Sequence, residues 1–360
     1  METILPPPPR HFPTPSSTWR SRWQQLRDHL QHPDQRWKWF IFAGVIVYLI
    51  VINQVTNRRP DHYFFALFIF SFVLGRARAK RFLLDWLPFI LFWVAYDMMR
   101  GIADTVRGTI HIVEPYRLER WFFQWLPGVD IPPFDLQALR FNRDWHWLNV
   151  TIDLLAGNLY VLHFALPLVL GWIFWHTSND RPMFYQFVYT LTTLNLLALT
   201  TFMLYPAAPP WYVYSHGFSP PEPDSSFWGT SAGRMIDIDR FMGFDFFTTL
   251  WGKFNANHFA AIPSLHGAYP IVIVLFAYKK FHRHLGWLLL YPLGVWFSAV
   301  YLNQHYIVDL LIGGLYIFAA YAIATRLLYP KIFARFVAAQ AQAFRAITPP
   351  PSRQWLTRSG

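Results

Sequence analysis

Apolar blocks broken by charged or Pro/Gly-containing stretches recur along the chain at about 38–54, 62–75, 82–100, 150–175, 184–205, 262–279, 285–303 and 306–327. Each approaches the roughly 20 residues that carry a helix across a bilayer core. The pattern predicts an all-α, polytopic integral membrane bundle of about eight transmembrane helices. Block 62–75 is the shortest, and block 150–175 is long enough to hold a short interfacial piece before its crossing. Two long stretches remain between blocks, 101–149 and 206–261. The first contains "PYRLERWFFQWL", whose aromatics and leucines at helical spacing predict an amphipathic helix, either in the membrane interface or packed on the bundle as a lid. The second, rich in Gly, Pro, Ser and Asp, reads as an extracytoplasmic cap loop over a site.

Composition agrees with this pattern, since the 360 residues are 54% hydrophobic, 20% aromatic and only 14% charged. The formal charge of +11 would suit a nucleic-acid partner, but no basic run is interleaved with aromatics on a polar module, so none is expected. Topology accounts for the charge instead. With eight spans, the basic short loops "RARAKR" (76–81) and "KKFHRH" (279–284) fall on one side, which is then cytoplasmic. The N-terminal arm and the tail carrying Lys331, Arg335 and Arg345 join them there, whereas the short loop "TNRRPDH", with Arg58 and Arg59, dissents. Absence of cysteine excludes disulfides, thiolate metal sites and cysteine nucleophiles. The chain divides into a proline-rich, disordered cytoplasmic arm without a cleavable signal (1–37), two N-terminal transmembrane helices (38–80), a catalytic membrane domain (81–327) and a cytoplasmic tail (328–360).

Polar residues at the outer ends of the spans carry the chemistry. In "YLNQHYIVDLLIGGLYIFAA" (301–320), His305 and Asp309 stand four residues apart in an otherwise apolar stretch. On a helix that spacing puts both on one face, where the carboxylate orients the imidazole. An aspartate inside an apolar helix is costly and by default functional. His266, in "NHFAAIPSLHGAYPIVIV", lies at the outer start of the sixth block. Two histidines and a carboxylate suit either a catalytic zinc or a His-Asp nucleophile served by a second histidine as acid and base. Serine hydrolysis fits least, because Pro263-Ser264 looks like a helix start. Ser264 is then a cap beside free N–H groups that hold an anion, which favours phosphate over metal.

"PSLH" (Pro263 to His266) and Ser298-Ala299 followed by His305 and Asp309 resemble the second and third signatures of the type 2 phosphatidic acid phosphatase superfamily, PSGH and SRxxxxxHxxxD. "AIPSLHG", "YLNQHYIVDLLIGG", "YPAAPPWY" (205–212), "YDMMRG" (96–101) and "LYVLHFALP" (159–167) are similar to the branch containing inositol phosphorylceramide synthase. The resemblance covers roughly 85–327. The chain departs from the superfamily at Ala299, where the signature has arginine, and in lacking the first signature, KxxxxxxRP. Arg181-Pro182 supplies its last two letters, but Phe174 holds the lysine position and the segment falls on the cytoplasmic side. Fewer cations suit a phosphodiester, with one negative charge, better than a terminal phosphate with two.

The resemblance implies that His305 attacks phosphorus, that Asp309 orients it, and that His266 protonates the departing lipid oxygen and then deprotonates the incoming hydroxyl. No metal or other cofactor is required. Phosphate contacts are expected from Ser264, Arg100, Arg234 and Lys253, and "YPAAPPWY" shapes a lipid entrance through Tyr205 and Trp211, with Trp211 and Tyr212 also expected as belt aromatics. The implied partners are a phospholipid donor and a ceramide- or diacylglycerol-type acceptor within the membrane, with no obligate protein partner. The implied activity is head-group transfer, with phosphoinositol as the group moved. A lipid phosphate phosphatase, a catalytic zinc enzyme and a lipid transporter are the alternatives.

Overall fold

A computed structural model describes residues 36–55, 66, 69–70, 72–74, 76–106, 108–138, 146–163, 165–176, 181–222, 227, 229–281, 285–334, 338–339 and 342. Among them are thirteen α-helices: α1 (Arg36–Val55), α2 (Arg76–Val106), α3 (Val113–Phe123), α4 (Pro132–Ala138), α5 (His146–Leu162), α6 (Ala165–His176), α7 (Arg181–Leu204), α8 (Pro210–His216), α9 (Met235–Met242), α10 (Phe247–Phe254), α11 (Leu265–Phe281), α12 (Leu285–Tyr301) and α13 (Ile307–Ala322). Two compact units divide near residue 84. The first holds α1, whose Phe40, Val47, Ile50 and Val51 are exposed. An outward face this apolar suits lipid rather than water. Of block 62–75 the described residues are 66, 69–70 and 72–74, the last three a short 3-10 turn, while nearly all of the proline-rich arm, "TNRRPDH" and most of the tail lie outside the described residues.

The second unit contains α2 from Leu84 onward and all the helices after it. Helix α11 packs against α12, α13 and α7, while α13 also packs on α7 and α3, and α12 on α5. Two glycines let α11 and α13 approach backbone to backbone. A Cβ on Gly267 would stand 2.6 Å from the Leu310 carbonyl oxygen, and one on Gly313 would stand 2.1 Å from that of Ser264. Neither separation is open to a larger residue without moving a helix. The described residues of long stretch 206–261 form an ordered cap: α9 and α10 join α5 and the end of α12 in one apolar cluster.

Helices cover seven of the eight expected blocks. By length and composition, two of them are able to cross a bilayer, Arg181–Leu204 and Ile307–Pro330. A third qualifies if Trp147–Leu162 and Ala165–His176, bent by 46°, form one span. Among the described residues the protein is therefore an all-helical membrane protein with two or three such candidate spans. Helices α1 and α12 are apolar but shorter. Beyond α13 the chain continues as π-helical turns over Ile323–Phe333.

Arg181 is committed elsewhere than to phosphate. It is fully buried, and its Nη2 donates to Asp85 Oδ2 at 2.7 Å, which also accepts from Trp175 Nε1 at 2.7 Å. Tyr185 OH donates to the other oxygen, Oδ1, at 2.5 Å. This ion pair joins α2, α6 and α7, and breaking a buried pair of this kind costs more than forming it contributes.

Candidate active site

Two chain turns set the site. At the first, Ser264 caps α11: its Oγ accepts from Gly267 N at 3.2 Å, the N-cap bond expected from the sequence. Its own N–H donates to the Asp309 carbonyl at 3.1 Å, which fixes the start of α11 against the first turn of α13. At the second, Gln304 N and His305 N both donate to the Ala299 carbonyl, at 2.9 and 3.2 Å, and close the end of α12. Asn303 makes this turn in the left-handed region, φ 63°, which asparagine tolerates better than most residues.

His305 thus stands just before α13 rather than on it. Asp309 meets it by reaching back from the first helical turn: its Oδ2 accepts from Tyr306 N at 2.9 Å and lies 3.5 Å from His305 Nδ1. The opposite nitrogen, His305 Nε2, lies 3.1 Å from His266 Nδ1. The three residues form a line in the order carboxylate, imidazole, imidazole, with Asp309 fully buried and both histidines nearly so. Burial pushes the His305 imidazole down to about 3, against an opposing backbone interaction with Ala261, so the ring is neutral and keeps a lone pair for attack. His266 is held in place by rings: Tyr160 lies flat on it at 3.9 Å and His163 stands 3.7 Å away. His163 Nδ1 in turn contacts the Tyr160 carbonyl at 2.5 Å.

A cavity opens on the two histidines and is also lined by His163, Trp211 and Gln304. Among the described residues no lysine, arginine, aspartate or glutamate lines it. Also among the described residues, no group of three or more His, Cys, Asp or Glu is placed to hold a metal ion. The expected cations are distributed as follows. Arg234 does not line the cavity; it lies 3.6 Å from Asp153, donates to Tyr301 OH at 3.2 Å and sits over the Tyr301 ring at 4.1 Å. Arg100 falls in α2 and Lys253 in α10, with side chains outside the described set. Ala299 is fully buried in the apolar cluster formed with α5, α9 and α10, so the cap occupies the space an arginine side chain would need. Ser298 donates back to Gly294 O at 2.7 Å.

"YPAAPPWY" does more than end a helix. Ala207 bridges the two long stretches: His111 N donates to Pro206 O, Ala208 N to His111 O and Ala207 N to Phe259 O, each at 2.8 Å. Trp211 and Tyr212 are 2% and 1% exposed, which corrects the expectation of belt aromatics at a lipid interface. Trp211 lines the cavity, and its N–H donates to Asn303 O at 2.9 Å, in the turn that carries His305. Tyr205 stacks on His111 at 3.8 Å and does not line the cavity.

Glu119 was invisible in the sequence. It lies on the amphipathic α3, is fully buried, and accepts from Ile307 N and Val308 N, both at 3.0 Å. A carboxylate from another element therefore caps the helix that bears Asp309. Burial raises its carboxyl to about 7, the two N–H bonds work the other way, and nearby Asp309 adds to the rise. In the unfolded chain the group ionises near its ordinary value, so between about 4.5 and 7 the folded protein holds the extra proton. Stability from this group is thus full below that window and is lost as pH rises through it. Thermal unfolding of the wild type should weaken from pH 5 to 8 more steeply than that of Glu119→Gln. Glu119→Ala, which leaves two N–H groups bare, should lower stability by about 2–4 kcal/mol at pH 8.

The family model of the PAP2 superfamily matches residues 138–323, just over half of the chain, and the protein belongs to that superfamily. Its relatives include the phosphoinositol dihydroceramide synthase of Bacteroides thetaiotaomicron, 28% identical over 276 residues, covering 76% of this chain and 86% of the relative. The inositol phosphorylceramide synthase of Candida albicans is 35% identical over 201 residues, 53% of this chain and 41% of that protein. The inositol phosphorylceramide synthase catalytic subunit AUR1 of Saccharomyces cerevisiae is 27% identical over 288 residues, 77% and 64% respectively. The chain thus spans less than two thirds of each of the two fungal relatives. No solved structure matches.

Proposed function

We propose that the protein is a membrane phosphotransferase that moves phosphoinositol from a glycerophospholipid to the hydroxyl of a ceramide-type lipid. The observation that carries this reading is the line Asp309, His305, His266, whose two histidines open on a cavity lined by no lysine or arginine among the described residues. The names of the relatives support the choice of head group and acceptor. In this reading Asp309 holds a proton at His305 Nδ1, and His305 Nε2 attacks phosphorus. The bond from phosphorus to the glycerolipid oxygen breaks, and that oxygen takes a proton from His266, whose charged form the bound phosphate anion favours. In the second half the acceptor hydroxyl gives its proton to His266 and attacks phosphorus, and the bond to His305 breaks. The free N–H groups at the start of α11, capped by Ser264, stabilise the phosphoryl oxygens.

In this reading both termini lie in the cytoplasm and the histidines on the extracytoplasmic side of a bundle of about eight spans, which the basic loops 76–81 and 279–284 support. Purified protein in mixed micelles, given phosphatidylinositol with and without ceramide or diacylglycerol, should form a new head-group-bearing lipid only when an acceptor is present. Its rate should survive a chelator. Release of inorganic phosphate from phosphatidic acid, with no transfer, would instead establish a phosphatase.

A further inference from the structure

Three side chains of the cavity wall each hold a buried hydrogen-bond donor that finds no partner in the protein: Tyr160 OH, Trp251 Nε1 and Asn257 Nδ2. Their exposures are 0%, 8% and 5%, so bulk water does not serve them. Buried donors are nearly always paired, and each exception calls for an explanation. All three line the cavity that opens on His266, and two of them flank its ring. Tyr160 lies flat on His266, and the Trp251 ring is 5.9 Å from His266 and 5.2 Å from Tyr160. Asn257 sits in the turn leading into α11, where its Oδ1 accepts from Phe259 N at 3.0 Å, so the bond fixes the amide and leaves the NH2 end over.

We propose that Tyr160, Trp251 and Asn257 form a neutral donor set that binds the singly charged phosphate of a phosphodiester lipid. The inference rests on the transferase reading above and names how that site takes its donor. All three groups are neutral, and an anion makes each hydrogen bond stronger than it would be between uncharged partners. One negative charge spread over two oxygens is matched by such a set. A second charge, as on a phosphate monoester, would be buried with no lysine or arginine among the described lining residues to offset it, and that desolvation is costly. The set therefore selects diester over monoester, the choice that a head-group transferase requires and a phosphatase reverses.

Tyr160→Phe and Trp251→Phe test the assignment, because each deletes a donor and keeps a ring. An unpartnered buried donor weakens the lipid-free protein, so its removal should leave the thermal midpoint equal or higher. The KM for phosphatidylinositol should rise roughly tenfold per donor, the scale of one hydrogen bond to an anion, and more in the double variant. The KM for ceramide should stay within about twofold. A merely structural hydroxyl or N–H would give the opposite pair of results, a lower midpoint with unchanged donor KM, and that outcome overturns the proposal. A second arm needs no turnover: phosphatidylinositol should raise the midpoint of the wild type but much less that of the double variant, while phosphatidic acid and free inositol phosphate should raise neither. If the wild type transfers nothing yet shows this lipid-specific stabilisation, the donor set stands and the transferase reading fails. Transfer by the wild type with equal donor KM in the double variant sinks the donor set alone.

Discussion

His305→Ala is expected to abolish head-group transfer, with a loss of about 10³-fold or more, while the thermal midpoint changes little. The ring is nearly buried and its polar contacts are few, to His266, Asp309 and the backbone of Ala261, so its removal is expected to cost chemistry more than packing. Donor lipid labelled in the phosphate should leave acid-labile, base-stable label on wild-type protein when acceptor is withheld, and none on His305→Ala. His266→Ala should lose activity on a similar scale for a different reason. It keeps the nucleophile and lacks the proton for the lipid oxygen, so a donor with a better leaving group should restore labelling to His266→Ala and not to His305→Ala. Asp309→Asn should fall between them, because an amide holds the ring less firmly and still accepts from Tyr306 N. Full transfer by His305→Ala would refute the mechanism.

The line of Asp309, His305 and His266 was legible because each member is conspicuous where it stands. A histidine after "PSL" and a His-Asp pair inside an apolar run are polar residues that a membrane helix tolerates only for a reason. Ser264 was legible as a cap from its place after proline. The mode of contact was not, since helical spacing put His305 and Asp309 on one face, whereas the turn at Asn303 ends α12 and leaves His305 outside α13. Glu119 was hidden for a deeper reason. In "RLERW" a glutamate between arginines reads as the solvated face of an amphipathic helix, yet Leu118, Trp121 and Phe122 are the exposed residues and Glu119 is the buried one. Where lipid borders the fold, apolar patterning no longer says which side faces inward. Arg234 illustrates the same limit in another form. Its partners Asp153 and Tyr301 come from two other helices, and no local pattern ties the three together.

Gly313→Ala should be the most damaging single methyl group that can be added to the second unit. Its Cβ would lie 2.1 Å from the Ser264 carbonyl oxygen and within 3.4 Å of two further backbone atoms of that residue, none of which is a flexible side-chain end. Relief requires α13 to move away from α11. Those two helices carry His266 on one side and Asp309 on the other, so a shift of about 1 Å disturbs the 3.1 Å and 3.5 Å separations directly. A displacement of that size is worth about 10²-fold in rate, and the overpacking itself about 1–3 kcal/mol in stability. Gly314→Ala supplies the control. One residue further on, the added methyl meets only side-chain carbons of Ile271 and Trp296, at 3.5 and 4.0 Å, which is ordinary contact. Activity within about twofold of wild type is expected there, with an unchanged melting midpoint. Equal behaviour of the two variants in transfer assays would mean that the close approach of α11 and α13 does not set the geometry of the site. A selective loss in Gly313→Ala would tie the spacing of the histidines to a position between these helices where only glycine leaves room.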